Sequence, residues 1–157
     1  LSAEQQAQVA SLLEERIRTR QPLAYLTGEA WLQGVPFFVD RRSIIPRSLI
    51  AEVLAMGLLD EWVPTEQARV MDLCTGNGSL AVLSALAWPQ AMVHGLDLSP
   101  EALQVAERNV QRHALTDRIE LSLSDGFAAA RGQYDLILCN PPYVNQQSMD
   151  AYLASLS

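Results

Sequence analysis

From residue 69 onward, short apolar runs alternate with helical segments, and this alternation constrains the fold more than any other feature of the sequence. RVMDLC (69–74), AMVHGLD (91–97), RIELSLSD (118–125) and YDLILCN (134–140) have the length and apolar character of buried strands. SLAVLSALAW (79–88) reads as an apolar helix, and a second helix runs from Ser99 to His113. Ser99-Pro100-Glu101 is a helix start, with Ser at the N-cap and Pro in the first turn. Strands separated by helices of this length join in parallel through right-handed crossovers, so the expected fold class is α/β, a doubly wound parallel sheet. Such sheets bind ligands at the carboxyl ends of their strands.

The residues before 69 follow a different pattern. Ser2 and Gln5 have the spacing of a capping box, and Val9, Leu13 and Ile17 recur at helical spacing. One amphipathic helix is expected over residues 3–18, ended by Pro22. Residues 29–45 hold Gly34, Pro36 and the runs VPFFV and SII, which suit a small hairpin or connector. Residues 47–60 read as another helix, with Leu49, Val53, Met56 and Leu59 apolar, and Pro64 with TEQAR forms a linker. Two units are expected: residues 1–46, a helix plus β connector, and residues 47–157, the alternating domain. No internal repeat or low-complexity segment interrupts them.

At 157 residues and 49% hydrophobic content the chain can bury a real core. No stretch resembles a membrane span or a signal peptide, so the expected compartment is the cytoplasm. All eleven basic residues are Arg, and net charge is −7. That balance weighs against general nucleic-acid affinity, which needs a basic surface. The sign is uneven: residues 1–47 hold six Arg against five acids, residues 48–157 five against thirteen. A basic face near Arg41, Arg42 and Arg47 stays open beside the plainer reading of solvated arginines. Cys74 and Cys139 lack metal-ligand spacing and read as small buried hydrophobes with reduced thiols. No metal site is expected.

Asp72-Leu73-Cys74-Thr75-Gly76-Asn77-Gly78 closes the first strand and opens a helix. Gly76 and Gly78 let the backbone turn tightly and approach a ligand, and the helix N-terminus favours negative charge. A turn that merely needs glycine would look the same. Asp97, about 20 residues downstream at the end of the next strand, can accept both hydroxyls of an adenosine ribose. The dinucleotide pattern G-x-G-x-x-G is not met. A ligand with a ribose and a small anionic tail is therefore favoured over a pyrophosphate, and S-adenosylmethionine has both. Asp125, at the end of the third strand, could meet the adenine amine or simply form a turn before Gly126.

LILCNPPYV (136–144) stops an apolar run at an Asn, two prolines and a Tyr. Proline cannot donate to a sheet ladder and restricts the residue before it, so the chain leaves the strand as a stiff elbow. Such an elbow suits a planar nitrogen as methyl acceptor, whose delocalised lone pair makes it a poor nucleophile. The Asn140 side-chain oxygen and the Pro141 carbonyl can accept its two N–H bonds, and Tyr143 can stack on the planar group. The double proline, Pro141-Pro142, keeps these pieces preorganised. This chemistry requires no metal, nucleophilic Ser or general-base His, and His94 and His113 are not expected to be catalytic.

DLCTGNGSLAV, GLDLSPEAL and LILCNPPYV resemble three motifs of the S-adenosylmethionine-dependent methyltransferases that modify the side-chain amide of glutamine in proteins. RQPLAYLTGEAWLQGVPFFVDRRSIIPRS resembles the connector of the same family. One branch acts on translation release factors, the other on a large-subunit ribosomal protein. The Cys of DLCTG and the Ser of IIPRS look more like the ribosomal-protein branch. The resemblance implies a Rossmann-like, class I methyltransferase fold and the cofactor S-adenosylmethionine. It implies cofactor contact by Asp72, Gly76, Gly78 and Asp97, and acceptor contact by Asn140, Pro141, Pro142 and Tyr143; Thr75 in the glycine loop and Asn140 at the edge of the cofactor are further candidate cofactor contacts. The family's helical N-terminal substrate domain would be present only in its last part. Its catalytic domain continues for three more strands, so the chain is expected to be a fragment ending after the fourth. That strand would then be an open edge that invites self-association. Cys74 replaces a customary glycine, and Gly126 stands where the release-factor branch often has an aromatic. Two other readings fit the motifs less well: an adenine-specific DNA or RNA methyltransferase that flips its base into the same elbow, and a non-catalytic adenosine-ligand-binding module.

Overall fold

The structure is a computed structural model and describes residues 1–142, 147 and 154. Tyr143 lies outside the described residues. Helix α1 (Ala3–Thr19) starts on the anticipated capping box: Gln5 N donates to Ser2 Oγ at 3.2 Å and Ser2 N donates to Gln5 Oε1 at 2.8 Å. It stops before Pro22 acts on it. Arg20 turns left-handed at φ 55°, and Pro22 instead caps a second short helix, α2 (Leu23–Thr27), that the sequence pattern does not reveal. The apolar stripe Val9, Leu13 and Ile17 remains exposed among the described residues.

The expected hairpin is present as β1 (Glu29–Leu32) and β2 (Val35–Phe38), antiparallel, with Leu32 opposite Val35. Helix α3 (Leu49–Ala55) is capped by Ser48, whose Oγ accepts from Ile50 N at 3.1 Å. It is shorter than the expected 47–60, because Gly57 takes φ 70° and turns the chain into a 3-10 turn at Asp60–Trp62.

Four parallel strands follow: β3 (Arg69–Leu73), β4 (Met92–Asp97), β5 (Ile119–Leu123) and β6 (Leu136–Cys139), in the order β5-β4-β3-β6. Helix α4 (Ser79–Ala87) joins β3 to β4, and α5 (Pro100–Arg112) joins β4 to β5. The chain steps outward from β3 to β5, then returns to the far side of β3. The point where the order reverses lies between β3 and β6, which is where sheets of this kind bind ligands. Leu73 pairs with Leu96 on one side and Cys139 on the other, so the three carboxyl ends stand level.

Helix α4 is buried from Ser79 to Ala85 because it lies among the sheet, α3 and α5, and its sequence is accordingly apolar all round. Helix α5 is amphipathic and buries Ala102, Val105, Ala106, Asn109 and Val110, a single stripe at helical spacing. Val70, Met71, Val82, Val93 and Leu96 are fully enclosed between these layers. Each such side chain stabilises the fold by about 1.5–3 kcal/mol relative to exposure, so the loop after β3 springs from the best-buried part of the molecule.

Candidate active site

Strand β3 ends in a loop with three left-handed residues, Cys74 (φ 62°), Gly76 (φ 55°) and Gly78 (φ 79°). The two glycines serve different needs. A Cβ on Gly78 would lie 3.1 Å from Ala106 Cβ and 3.2 Å from Ala106 Cα, so its lack of a side chain lets α4 start against α5. A Cβ on Gly76 would meet nothing within 4 Å, so that position borders open space. Cys74 occupies a conformation that favours glycine.

Asp72 organises the loop from beneath. Its Oδ2 accepts from Thr75 Oγ1 at 2.6 Å and from Ala81 N at 3.0 Å. Gly78 at the N-cap of α4 offers no side chain, so a carboxylate from the neighbouring strand caps the helix instead. Burial pushes the Asp72 carboxyl up to about 7; the Thr75 and Ala81 bonds pull it down, and the nearby charge of Asp97 pushes it further up. Asp72 Oδ1 is buried without a hydrogen-bond partner among the described residues, and so is Asn77 Nδ2.

Asp97 stands across the loop at the end of β4. Its Oδ2 accepts from Gly76 N at 2.7 Å and its Oδ1 from Ser99 N at 2.9 Å. Thr75 N donates to Leu96 O at 2.9 Å, which ties the loop to β4. A carboxylate has about four acceptor sites, so each oxygen keeps capacity for a further donor. Asp125 follows β5 on the same rim and is exposed; Ser124 N donates to Asp97 O at 2.8 Å, which holds the two turns side by side.

Asn140 follows β6 and is half-buried, and its Nδ2 donates to Arg47 O at 3.2 Å. The elbow is thereby fastened to the segment that leads into α3. Pro141 and Pro142 are exposed. The structure thus gathers Asp72, Thr75, Gly76, Gly78 and Asp97 into one hydrogen-bonded cluster, with Asn140 at the level end of the adjoining strand. The histidines have structural partners. His94 bonds Tyr134 Oη at 2.7 Å and Ser122 Oγ at 2.9 Å, and burial lowers its pKa. His113 Nε2 lies 2.9 Å from Pro36 O.

Residues 52–155 match the family described as the methyltransferase small domain. The chain belongs to that family. Among relatives of this methyltransferase chain, the ribosomal protein uL3 glutamine methyltransferase of Bordetella pertussis is 51% identical over 150 residues, covering 94% of this chain and 50% of that protein. The protein of the same name from Bradyrhizobium diazoefficiens is 45% identical, covering 89% of this chain and 46% of that protein. The chain therefore spans about half the length of the curated relatives it matches. Their name is that of the ribosomal-protein branch. Among solved structures, human methyltransferase 10 domain containing protein superposes with a TM-score of 0.57 at 16% identity, covering 76% of this chain and 58% of that one. A precorrin 8w decarboxylase from Methanobacterium thermoautotrophicum gives 0.55 at 24% identity, covering 66% and 54%. These likenesses agree with the doubly wound, Rossmann-like sheet.

Two features of the candidate site are not readable as site residues from motif spacing. One is the Arg47 carbonyl, which carries no sequence signal because every residue has a carbonyl to offer. The other is Asn109, fully buried on α5, whose Nδ2 donates to Asn77 O at 2.8 Å and so fixes the glycine loop. Its signal is a polar residue on an otherwise apolar helical stripe.

Proposed function

We propose that the chain carries the cofactor-binding part of an enzyme that methylates the side-chain amide of glutamine in a large-subunit ribosomal protein, with S-adenosylmethionine as donor. One juxtaposition carries this reading. The Asp72–Gly76–Asp97 cluster and the Asn-Pro-Pro elbow stand at the level ends of three adjacent strands, at the point where the strand order reverses. The names of the relatives favour the ribosomal protein over the release factor as substrate.

The residues present suit the cofactor. The ribose hydroxyls would go to Asp97, which has acceptor capacity left on both oxygens. Asp72 offers a buried carboxyl oxygen without a partner, suited to a cationic amine. The open space over Gly76 admits close approach to the backbone, and Asp125, exposed on the same rim, would meet the adenine amine. When bound, S-adenosylmethionine supplies a methyl group made electrophilic by the adjoining sulfonium. The protein's task is then placement. The Asn140 side-chain oxygen and the Pro141 carbonyl accept the two N–H bonds of the substrate amide, so its nitrogen faces the methyl group. The prolines hold these acceptors before the substrate arrives. Orientation of this kind supplies much of the rate without an acid or base of matched pKa.

The test is methylation by the full-length enzyme with radiolabelled donor, offered ribosomal protein, release factor and adenine-containing DNA and RNA in parallel. Label on a glutamine of the ribosomal protein supports the reading. Label confined to nucleic acid would replace it with base methylation.

A further inference from the structure

We propose that Ser48, the N-cap of α3, is a positioning residue for methyl transfer: it holds in place the Arg47 carbonyl that decides which end of the Asn140 amide meets the substrate. This rests on the reading given above, in which the Asn140 side-chain oxygen accepts from the substrate amide.

A primary amide carries an acceptor oxygen at one end and two donor N–H bonds at the other, and the two ends have nearly the same shape. Packing alone does not tell them apart. A hydrogen-bond partner of fixed polarity does, and Arg47 O is such a partner. A carbonyl only accepts, so at 3.2 Å it takes the Nδ2 end of Asn140. Asn140 Oδ1 then lies at the end of the amide away from the connector. With the amide turned over, a donor would stand where the substrate needs an acceptor, and two sets of N–H bonds would oppose one another.

The Arg47 carbonyl can serve as a fixed point because the chain is held on both sides of it. Upstream, Asn109 clamps Phe38 at 2.7 and 3.0 Å. Val39 is buried and its N donates to Gly28 O at 3.1 Å. Tyr25 Oη donates to Ser43 O at 3.0 Å, and Pro46 fixes its own φ. Downstream, Ser48 Oγ accepts from Ile50 N at 3.1 Å, with Ser48 extended at φ −155° and ψ 125°. The peptide between Arg47 and Ser48 is planar, so the φ of Ser48 sets the direction of Arg47 O relative to α3. Helix α3 buries Ala51 and Leu54 and packs on α4, which starts directly after the glycine loop. The Ser48 cap thus refers the acceptor side chain to the same helix pair that carries the cofactor loop.

The experiment measures rates on the full-length enzyme with its ribosomal-protein substrate, and the contact itself on this chain. Ser48→Ala removes the cap and Ser48→Thr keeps it. In Ser48→Ala kcat is expected to fall roughly tenfold to 100-fold, with KM for S-adenosylmethionine unchanged; Ser48→Thr restores kcat. Ser48→Gly, a tolerated N-cap that lacks the hydroxyl, carries the same expectation where Ser48→Ala folds poorly. In the isotope-labelled chain, the Asn140 side-chain amide is assigned by its loss in Asn140→Ala, and its exchange with solvent is followed by NMR. Exchange is expected to speed up roughly tenfold in Ser48→Ala, as for the loss of one hydrogen bond, and to stay slow in Ser48→Thr. Equal exchange in the parent and Ser48→Ala shows that the cap does not hold the contact and overturns the proposal. So does a lower melting temperature with kcat at the parent value, which makes Ser48 a structural cap only, or a loss confined to KM for the cofactor. If the parent enzyme places no methyl group on glutamine, the functional reading fails instead, while the exchange measurement still decides whether Ser48 holds the contact.

Discussion

Asn109 grips the backbone of Phe38 with both ends of its amide: Phe38 N donates to Asn109 Oδ1 at 2.7 Å, and Asn109 Nδ2 donates to Phe38 O at 3.0 Å. With the further bond to Asn77 O, one buried side chain joins β2, α5 and the loop after β3. Asn109→Leu keeps the volume but strands three backbone groups. Each such group costs about 1–3 kcal/mol when buried and unpaired. A loss of several kcal/mol in denaturant unfolding is therefore expected, and Asn109→Asp should do no better, because a carboxylate cannot donate. A loss below about 1 kcal/mol would show that water replaces these bonds and that the hairpin is not anchored here.

The glycines of the loop separate stability from binding. Gly78→Ala meets Ala106 and a left-handed backbone together, and is expected to destabilise by about 2–4 kcal/mol. Gly76→Ala meets open space, so only the backbone penalty of about 1–2 kcal/mol applies. Its added methyl group would occupy the space assigned to the cofactor, so affinity should fall more than stability suggests. Thermal melts with calorimetric titration distinguish the two. Equal losses in both variants would contradict the division of roles.

How much of this is legible in the sequence depends on the kind of interaction. Strands β3 and β4 and helix α4 are readable because burial writes near-continuous apolar runs; β5 and β6, partly exposed, are readable from their place in the strand–helix alternation, and α5 because Ser99-Pro100 announces a helix start. Neither end of α3 is read correctly from the apolar spacing: the expected start at 47 falls before the N-cap Ser48, and the stop depends on Gly57 turning left-handed where the apolar spacing still continues. Helix α2 escapes notice because five residues are too few to show a period. In the candidate site, Gly76 and Asp97 are singled out by residue type and spacing, and Asp72 by the family resemblance. The same spacing gives no hint that Asp72 caps α4, since that bond joins β3 to a helix end nine residues later. The Asn140–Arg47 bond spans 93 residues and depends on how the connector folds back on the sheet.

The buried carboxyl of Asp72 makes stability depend on pH. Its folded-state pKa is raised from 3.8 to about 7. It therefore contributes stability that is fully present below the unfolded value and is lost as pH rises through about 7, because the charged form is buried. In the Asp72→Asn variant the side chain is neutral throughout and can still accept from Ala81 N. Between about pH 5 and about pH 8, the melting temperature of the variant should rise relative to the parent. S-adenosylmethionine affinity should fall in the variant, since a neutral amide attracts a cationic amine less. A stability difference that stays constant over that range would mean that Asp72 does not titrate there.

Asn140→Ala tests the elbow itself. Asn140 has a structural bond to Arg47 O and, in the proposed mechanism, an acceptor role toward the substrate amide. The two roles predict different signatures. Loss of one half-buried hydrogen bond costs about 0.5–1.5 kcal/mol of stability and leaves turnover intact. Loss of an aligned acceptor at the reacting centre costs on the order of 100-fold or more in rate. In the full-length enzyme, methyl transfer is expected to fall by that larger factor, while cofactor affinity and melting temperature change little. Asn140→Asp should not restore the rate. Its carboxylate has no proton to give the Arg47 carbonyl, so the side chain is repelled from the contact that orients it, and its charge repels the amide oxygen of the substrate. Stopped-time methylation assays, read beside thermal melts of the same preparations, provide the comparison. An Asn140→Ala enzyme that melts early yet turns over at the parent rate would make the elbow a structural corner, and the acceptor for the substrate N–H bonds would then have to lie elsewhere on the rim.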